Sequence, residues 1–278
     1  MEYTTITYSA ADQIATITLN RPEARNGFTL TMADELNAAL RAADRDDLVR
    51  VVILRAVGKH FCVGMDMAGG DPTVGDPDDP NWDEPATRVA RPMANLNKPV
   101  IAAIQGAAVG VGLSMTLAAD FRLASEDARF GFVFARRGLF PEGGSLWFLP
   151  QIVGLAKAKE WMITGRIFDV DEAADTGLVT GVYPREELWT AADALARDIA
   201  SNVAPVSVAV IRRGLTVMAA RGNPEAAFAI DRQTISYGFT SPDMAEGVAS
   251  FLQKRQPAFT GVAREEVSRF PWLAFERE

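Results

Sequence analysis

The chain has 278 residues, 48% of them hydrophobic and 23% charged, with a formal net charge of −8. This composition suits a folded protein of one or two domains, and the acidic balance argues against general nucleic-acid binding while leaving room for an anionic ligand held by local basic groups. One cysteine, Cys62, excludes an intramolecular disulfide and points to a reducing, cytoplasmic setting, and one histidine, His60, argues against a histidine-based metal cage.

The first 13 residues are acidic and strand-like, unlike a signal or transit peptide, and no apolar run reaches the length of a membrane span, so no membrane partner is expected. Residues 13–20 alternate: Ala15, Ile17 and Leu19 fall on one face, Thr16 and Thr18 on the other, which predicts a half-buried strand. A turn follows at Asn20-Arg21-Pro22. Thr31 is placed to cap a helix whose residues Met32, Leu36 and Leu40 share a face. Residues 50–57 form a nearly continuous apolar run, as a strand buried on both faces requires. Residues 68–85 are rich in Pro, Gly and Asp and predict a loop carrying Trp82. Val100–Ile104 reads as another buried strand, followed by a small-residue helix from about Val111 to Ala119 and a short strand at Phe121–Ala124. Ser125-Glu126-Asp127 reads as a solvated turn. Helices are predicted at Leu155–Gly165 and Asp171–Gly177, with a strand at Leu178–Tyr183. From Glu186 onward helical patterning dominates. The alternation predicts an α/β fold with a core over residues 1–185 and a helical segment over 186–278.

Two Gly-containing turns follow apolar strands: 59–67 (KHFCVGMDM) and 105–120 (QGAAVGVGLSMTLAAD). The second starts a helix near Gly110-Val111-Gly112. A helix start exposes unpaired N–H groups with partial positive charge, and glycine lets a ligand approach the backbone. Either turn also serves simple packing. Neither matches a dinucleotide fingerprint, because Met115 stands where the third glycine belongs, and no Walker-type lysine follows. Around Ser114 and Ser145 the hydrolase elbow fails, with Thr116 and Trp147 in its last positions.

Five segments together are more specific: 20–26 (NRPEARN), 59–67, 106–120, 130–154 (FGFVFARRGLFPEGGSLWFLPQIVG) and 251–259 (FLQKRQPAF). In order and spacing they resemble the signatures of the enoyl-CoA hydratase/isomerase, or crotonase-like, family across nearly the whole chain. The resemblance implies a spiral of ββα units, an acyl-CoA substrate, no cofactor beyond the substrate's CoA and no metal. It also implies a C-terminal helical segment that assembles trimers, commonly paired into hexamers. It assigns the backbone N–H groups of Met65 and Val111, the latter after Gly110, to the thioester carbonyl oxygen. Two fixed donors and a helix start would stabilise an enolate, each donor worth roughly 3 kcal/mol.

The chain departs from the two-glutamate hydratase pattern: Ser114 and Phe134 occupy those positions. Glu142, one turn further on, is the carboxylate left near the reacting centre, and one carboxylate suffices to move a proton between two carbons. The expected reaction is therefore double-bond isomerisation. Hydration, thioester hydrolysis and catalytically silent acyl-CoA binding are the alternatives. Phe140, Leu146, Trp147 and Phe148 are expected to surround Glu142 and raise its proton affinity; its competing role is to cap the helix beginning at Gly143-Gly144. By the same resemblance Lys59 and Lys254 approach CoA phosphates, Lys254 from a neighbouring subunit, and Ala24 lies along the CoA. Asp66 is expected to order its loop, Asp120 to end its helix, Arg136 and Arg137 to pair with carboxylates, His60 to pack or lie on the surface and Cys62 to be buried.

Overall fold

The computed structural model describes residues 3–66, 79, 82–220 and 224–270. Its centre is a six-stranded sheet in the order β1-β2-β3-β4-β6-β9. The strands are β1 (Ile6–Ala11), β2 (Ile14–Leu19), β3 (Val51–Ala56), β4 (Val100–Ile104), β6 (Phe121–Ser125) and β9 (Gly181–Tyr183). The β1–β2 hairpin is antiparallel, and every later pairing is parallel. A smaller sheet of β5 (Ala107–Val109), β7 (Arg129–Gly131) and β8 (Ile167–Asp169) stands beside it.

The period-2 geometry of strands divides the central sheet between two apolar layers. Val52, Leu54, Val100, Ala102 and Ile104 point into the main core, where they meet Met32, Leu36 and Leu40 of α1 (Leu30–Arg45). Val51, Ile53, Ile101 and Ala103 point the other way, onto Leu188, Ala192, Ala196 and Ala200 of α7 (Leu188–Asn202). Burial on both faces is why β3 and β4 read as unbroken apolar runs. The same cover corrects the half-buried reading of β2. Thr18 is only 6% exposed: it accepts a bond from Arg55 Nε at 3.3 Å, and the Arg55 guanidinium lies 4.1 Å over the Trp189 ring of α7.

Several boundaries differ from expectation. The cap of α1 is Thr29, whose hydroxyl accepts from the Met32 N–H at 3.1 Å, while Thr31 lies inside the helix. The small-residue helix α3 covers only Val111–Ser114; residues 116–119 then turn with bonds three residues back, and the Thr116 hydroxyl ties down the Leu113 carbonyl. β9 is shorter than predicted because Leu178 N–H turns back to Ala173 O at 2.9 Å. Ser125 is fully buried at the end of β6, and its hydroxyl donates to Asp127 at 2.5 Å, so 125–127 is not simply a solvated turn. Arg136 donates to the Thr164 carbonyl at 2.7 Å rather than to a carboxylate. Helix α2 (Thr87–Asn95) was not anticipated. Most of the predicted 68–85 loop lies outside the described residues; Trp82, within it, is described and half-buried.

The remaining helices are α4 (Ser145–Val153), α5 (Leu155–Thr164), α6 (Val170–Asp175), α8 (Pro205–Ala219), α9 (Glu225–Gly238), α10 (Pro242–Gln253) and α11 (Ala263–Glu266). Among the described residues no single helix is long and apolar enough to cross a membrane. Arg212 of α8, with a side chain 5% exposed, reaches back to Asp120 Oδ2 at 2.7 Å and to the carbonyls of Met93 and Leu96, each at 2.6 Å. Asp120 also accepts from Val100 N–H at 2.7 Å; its role is structural, but it ties β4 to α8 rather than ending a helix, since α3 stops at Ser114.

Candidate active site

The site forms where two Gly-containing turns meet. Leaving β3, the chain runs beside β5: Cys62 N–H donates to Ala107 O and Val109 N–H to Cys62 O, both at 3.0 Å. Gly64, at φ +102°, then swings the chain away, and Gly110, at φ +55°, does the same at the end of β5. A side chain resists both conformations, and a Cβ on Gly64 would stand 3.2 Å from Val109 O. Gly112 is needed for another reason: its Cβ would fall 2.3 Å from the Cys62 carbonyl oxygen, so α3 rests directly on the 61–64 backbone.

This arrangement bears on Met65 and Val111. The bridge between Phe28 and Met65 uses Phe28 N–H to Gly64 O at 2.8 Å and Asp66 N–H to Phe28 O at 2.9 Å, and a parallel pairing of that kind turns the intervening Met65 N–H away. Val111 opens α3, where the first N–H groups have no partner one turn earlier. Among the described residues neither N–H meets an acceptor.

Ser114, fully buried at the end of α3, donates its hydroxyl to Glu142 Oε1 at 2.8 Å. The residue at the first vacated glutamate position is thus joined to the carboxylate that remains. Glu142 precedes two glycines, Gly143 at φ +58° and Gly144 at φ +70°, which turn the chain into α4. Its backbone carbonyl accepts from Ser145 N–H at 2.9 Å, but its side chain does not cap the helix. Burial pushes the Glu142 carboxyl up to about 7; the nearby charge of Glu84 adds to this and the Ser114 hydroxyl opposes it. The expected aromatic and aliphatic shell is only partly present. Phe140 is 86% and Leu146 68% exposed in the isolated chain. Trp147 is half-buried and packs edge-to-face on Phe148 with centroids 4.8 Å apart. The enclosure comes instead from Ser114 and from the turn before α2, since a Cβ on Gly143 would stand 3.2 Å from Ala86 Cβ and 3.7 Å from Ser114 Oγ.

Glu84 escaped the sequence reading. It accepts from Ala86 N–H at 2.7 Å, Thr87 N–H at 2.8 Å, the Thr87 hydroxyl at 2.9 Å and Gly143 N–H at 3.2 Å. The only signal was an acidic residue three positions ahead of a threonine at a helix start, hidden among many other acids.

The other predicted residues lie in different settings. Phe134, 5% exposed, is packed in the main core beside the short helix Ala135–Arg137. Asp66 pairs with Arg21 at 2.9 Å, and Arg21 also bonds Gly27 O, which orders the 20–28 turn that carries Ala24. Lys59 is exposed, and its carbonyl accepts from Arg185. His60 Nδ1 accepts from Ala107 N–H at 3.1 Å; burial, then Lys59, Arg185 and Arg25, lower its proton affinity. Cys62 is fully buried, and burial pushes its thiol up to about 12. Lys254 is exposed and ends α10 in a left-handed conformation, away from the Glu142–Ser114 cluster in sequence and element. No group of three or more His, Cys, Asp or Glu suited to a metal ion occurs among the described residues.

Residues 9–262 match the family model described as Enoyl-CoA hydratase/isomerase. The chain is 36% identical over 261 residues to the enoyl-CoA hydratase ACTT3 of Alternaria alternata, covering 92% of this chain and 86% of that protein. It is 33% identical over 251 residues to the 1,2-epoxyphenylacetyl-CoA isomerase of Escherichia coli K12, covering 89% and 95% of the two chains. The crystal structure of the enoyl-CoA hydratase from Bacillus anthracis superposes with a TM-score of 0.82 at 30% identity, covering 93% of this chain and all of that one (100%).

Proposed function

The chain belongs to the enoyl-CoA hydratase/isomerase family, with its crotonase-type α/β fold and its enzymatic action on acyl-CoA thioesters, and from that premise we propose that it is a double-bond isomerase in which Glu142 is the sole proton carrier. The observation that carries this reading is the Ser114–Glu142 pair: one enclosed carboxylate, poised near neutrality, with a hydroxyl where a second carboxylate would otherwise act.

In the proposed mechanism the thioester carbonyl of a 3-enoyl-CoA sits against the N–H groups of Met65 and Val111. The Glu142 carboxylate removes a proton from the α carbon. The C–H electron pair moves into a dienolate whose negative charge rests on the thioester oxygen, where the two backbone donors and the start of α3 stabilise it. Glu142, now protonated, returns the proton to the γ carbon as the double bond moves between the α and β carbons. The carboxylate ends as it began, and no cofactor beyond the substrate's CoA takes part. A proton affinity near neutrality suits both halves of the cycle. Ala24 and Lys59 are proposed to line the CoA, with Lys254 reaching it from a neighbouring subunit; Asp66 holds its loop through Arg21, and Gly110 and Trp147 border the acyl group.

Hydration is the second reading. It is favoured by the hydratase names of relatives such as the Alternaria protein, with a water held against the Ser114–Glu142 pair. Glu142→Gln separates the possibilities. It is expected to slow exchange of the α and γ protons of a 3-enoyl-CoA with deuterated water by about 10²–10⁴-fold, with acyl-CoA affinity nearly unchanged. Rapid hydration of crotonyl-CoA that survives this substitution would overturn the single-carboxylate mechanism, and tight binding without any proton exchange in the unsubstituted chain would point to a silent binder.

A further inference from the structure

We propose that Glu84 is a positioning residue for Glu142, anchoring the 142–144 turn to the start of α2 and holding a negative charge beside the proton-carrying carboxyl. The proposal rests on the reading of Glu142 as proton carrier.

The geometry has two halves. Three of the four donors to the Glu84 carboxylate, the N–H groups of Ala86 and Thr87 and the Thr87 hydroxyl, belong to the cap and the first residue of α2, at 2.7–2.9 Å. A carboxylate in that place is favoured by the exposed N–H groups and partial charge of a helix start. The fourth donor, Gly143 N–H at 3.2 Å, belongs to the residue next to Glu142. Both carboxylate oxygens are engaged, which suits Glu84 to a fixed charge rather than to transferring a proton. Gly143 is also the point where three segments touch, since a Cβ there would reach both Ala86 Cβ and Ser114 Oγ.

Ser114, Glu84 and Cys62 interact with Glu142 among the described residues. Ser114 donates from α3, the charge of Glu84 acts from the turn before α2, and the buried Cys62 thiol lies on the 61–64 segment. No cation forms an ion pair with Glu142 among the described residues. Burial and the Glu84 charge therefore act in the same direction and make ionised Glu142 a stronger base, with the Ser114 hydroxyl as the opposing influence. One acid is fixed by a helix start so that the other is readily protonated.

The test reads Glu142 directly. Isotope-edited infrared titration follows the protonated carboxyl stretch of Glu142, assigned by its loss in Glu142→Gln, without substrate. In Glu84→Gln and in Glu84→Ser, each checked for a native circular dichroism spectrum, the midpoint is expected to move to lower pH. In Glu84→Asp, which keeps the charge, it is expected to stay near that of the unsubstituted chain. The acid limb of kcat should follow the same order while KM changes little. A purely structural cap would lower thermal stability and leave the midpoint in place, so an unmoved midpoint in a folded neutral variant overturns the proposal. Full proton exchange in Glu142→Gln would instead remove the proton-carrier reading, and the infrared midpoint would still decide the electrostatic one.

Discussion

Glu142 makes the enclosure of the site measurable as stability. Its carboxyl is pushed up from an ordinary 4.5 to about 7 by burial, so the folded chain holds this proton more tightly than the unfolded chain does. The resulting contribution to stability is fully present below the unfolded value and is lost as pH rises through the folded one. Glutamine cannot ionise, so Glu142→Gln should gain stability relative to the unsubstituted chain as pH climbs from 4.5 to above 7. A shift of that size corresponds to at most about 3 kcal/mol. Urea denaturation at the two ends of that range checks it, and an unchanged difference between the two proteins would mean the carboxyl is effectively solvated. The variant that slows proton transfer is thus expected to be the more stable protein at neutral pH and above, as when a site keeps a polar group under partial desolvation for the sake of chemistry.

The element proposed to set the oxyanion geometry is α3, and it holds its place by backbone contact rather than by length. Because a Cβ on Gly112 would stand 2.3 Å from the Cys62 carbonyl oxygen, Gly112→Ala should force α3 off the 61–64 segment. The expected cost is about 1–3 kcal/mol of stability, the scale of overpacking a filled interior, together with a fall in kcat larger than the change in acyl-CoA affinity. Thermal melts and steady-state kinetics on the one variant check both; an unaltered kcat would separate α3 from the chemistry. Elements of this kind were unequally legible in the sequence. β3 and β4 were plain because burial on both faces leaves an unbroken apolar run. The start of α3 was legible from its glycines, but its end was not. The Ala119 carbonyl is taken by Arg122 at 2.6 Å and the Leu113 carbonyl by the Thr116 hydroxyl at 2.8 Å, tertiary and local bonds that replace further helical turns. α2 was missed because Pro92 sits within it and its capping acid precedes Pro85 in a stretch crowded with aspartates. The same crowding concealed Glu84, whose significance comes from a contact 59 residues away. Ser114 was visible as a departure from a pattern and Glu142 as the carboxylate left beside it, yet their bond across 28 residues was visible only in the fold.

At the scale of the molecule, the helices after β9 leave apolar side chains uncovered: Leu215 is 70%, Phe239 69%, Phe251 81% and Leu252 73% exposed. Surface of this kind is expected to be covered by other copies of the chain. Light scattering should therefore report three or six times the 30.1 kDa chain mass, and Leu215→Asp should lower it; a monomer at micromolar concentration would remove the proposed reach of Lys254 to a neighbour's CoA. These helices are nevertheless not an appendage. The guanidinium of Arg212 binds the carbonyls that close α2, the Ala118 carbonyl after α3 and the Asp120 carboxylate before β6, while α7 lines one whole layer of the central sheet. Withdrawing them would strip the sheet of its cover and leave several buried acceptors without a donor, at a cost each on the scale of a broken buried hydrogen bond. The frontier near residue 185, where strand patterning gives way to helix, is therefore a change of texture: a polypeptide ending there would lack part of its own interior, and the surface proposed for assembly and the proposed site are expected to melt together as one cooperative unit.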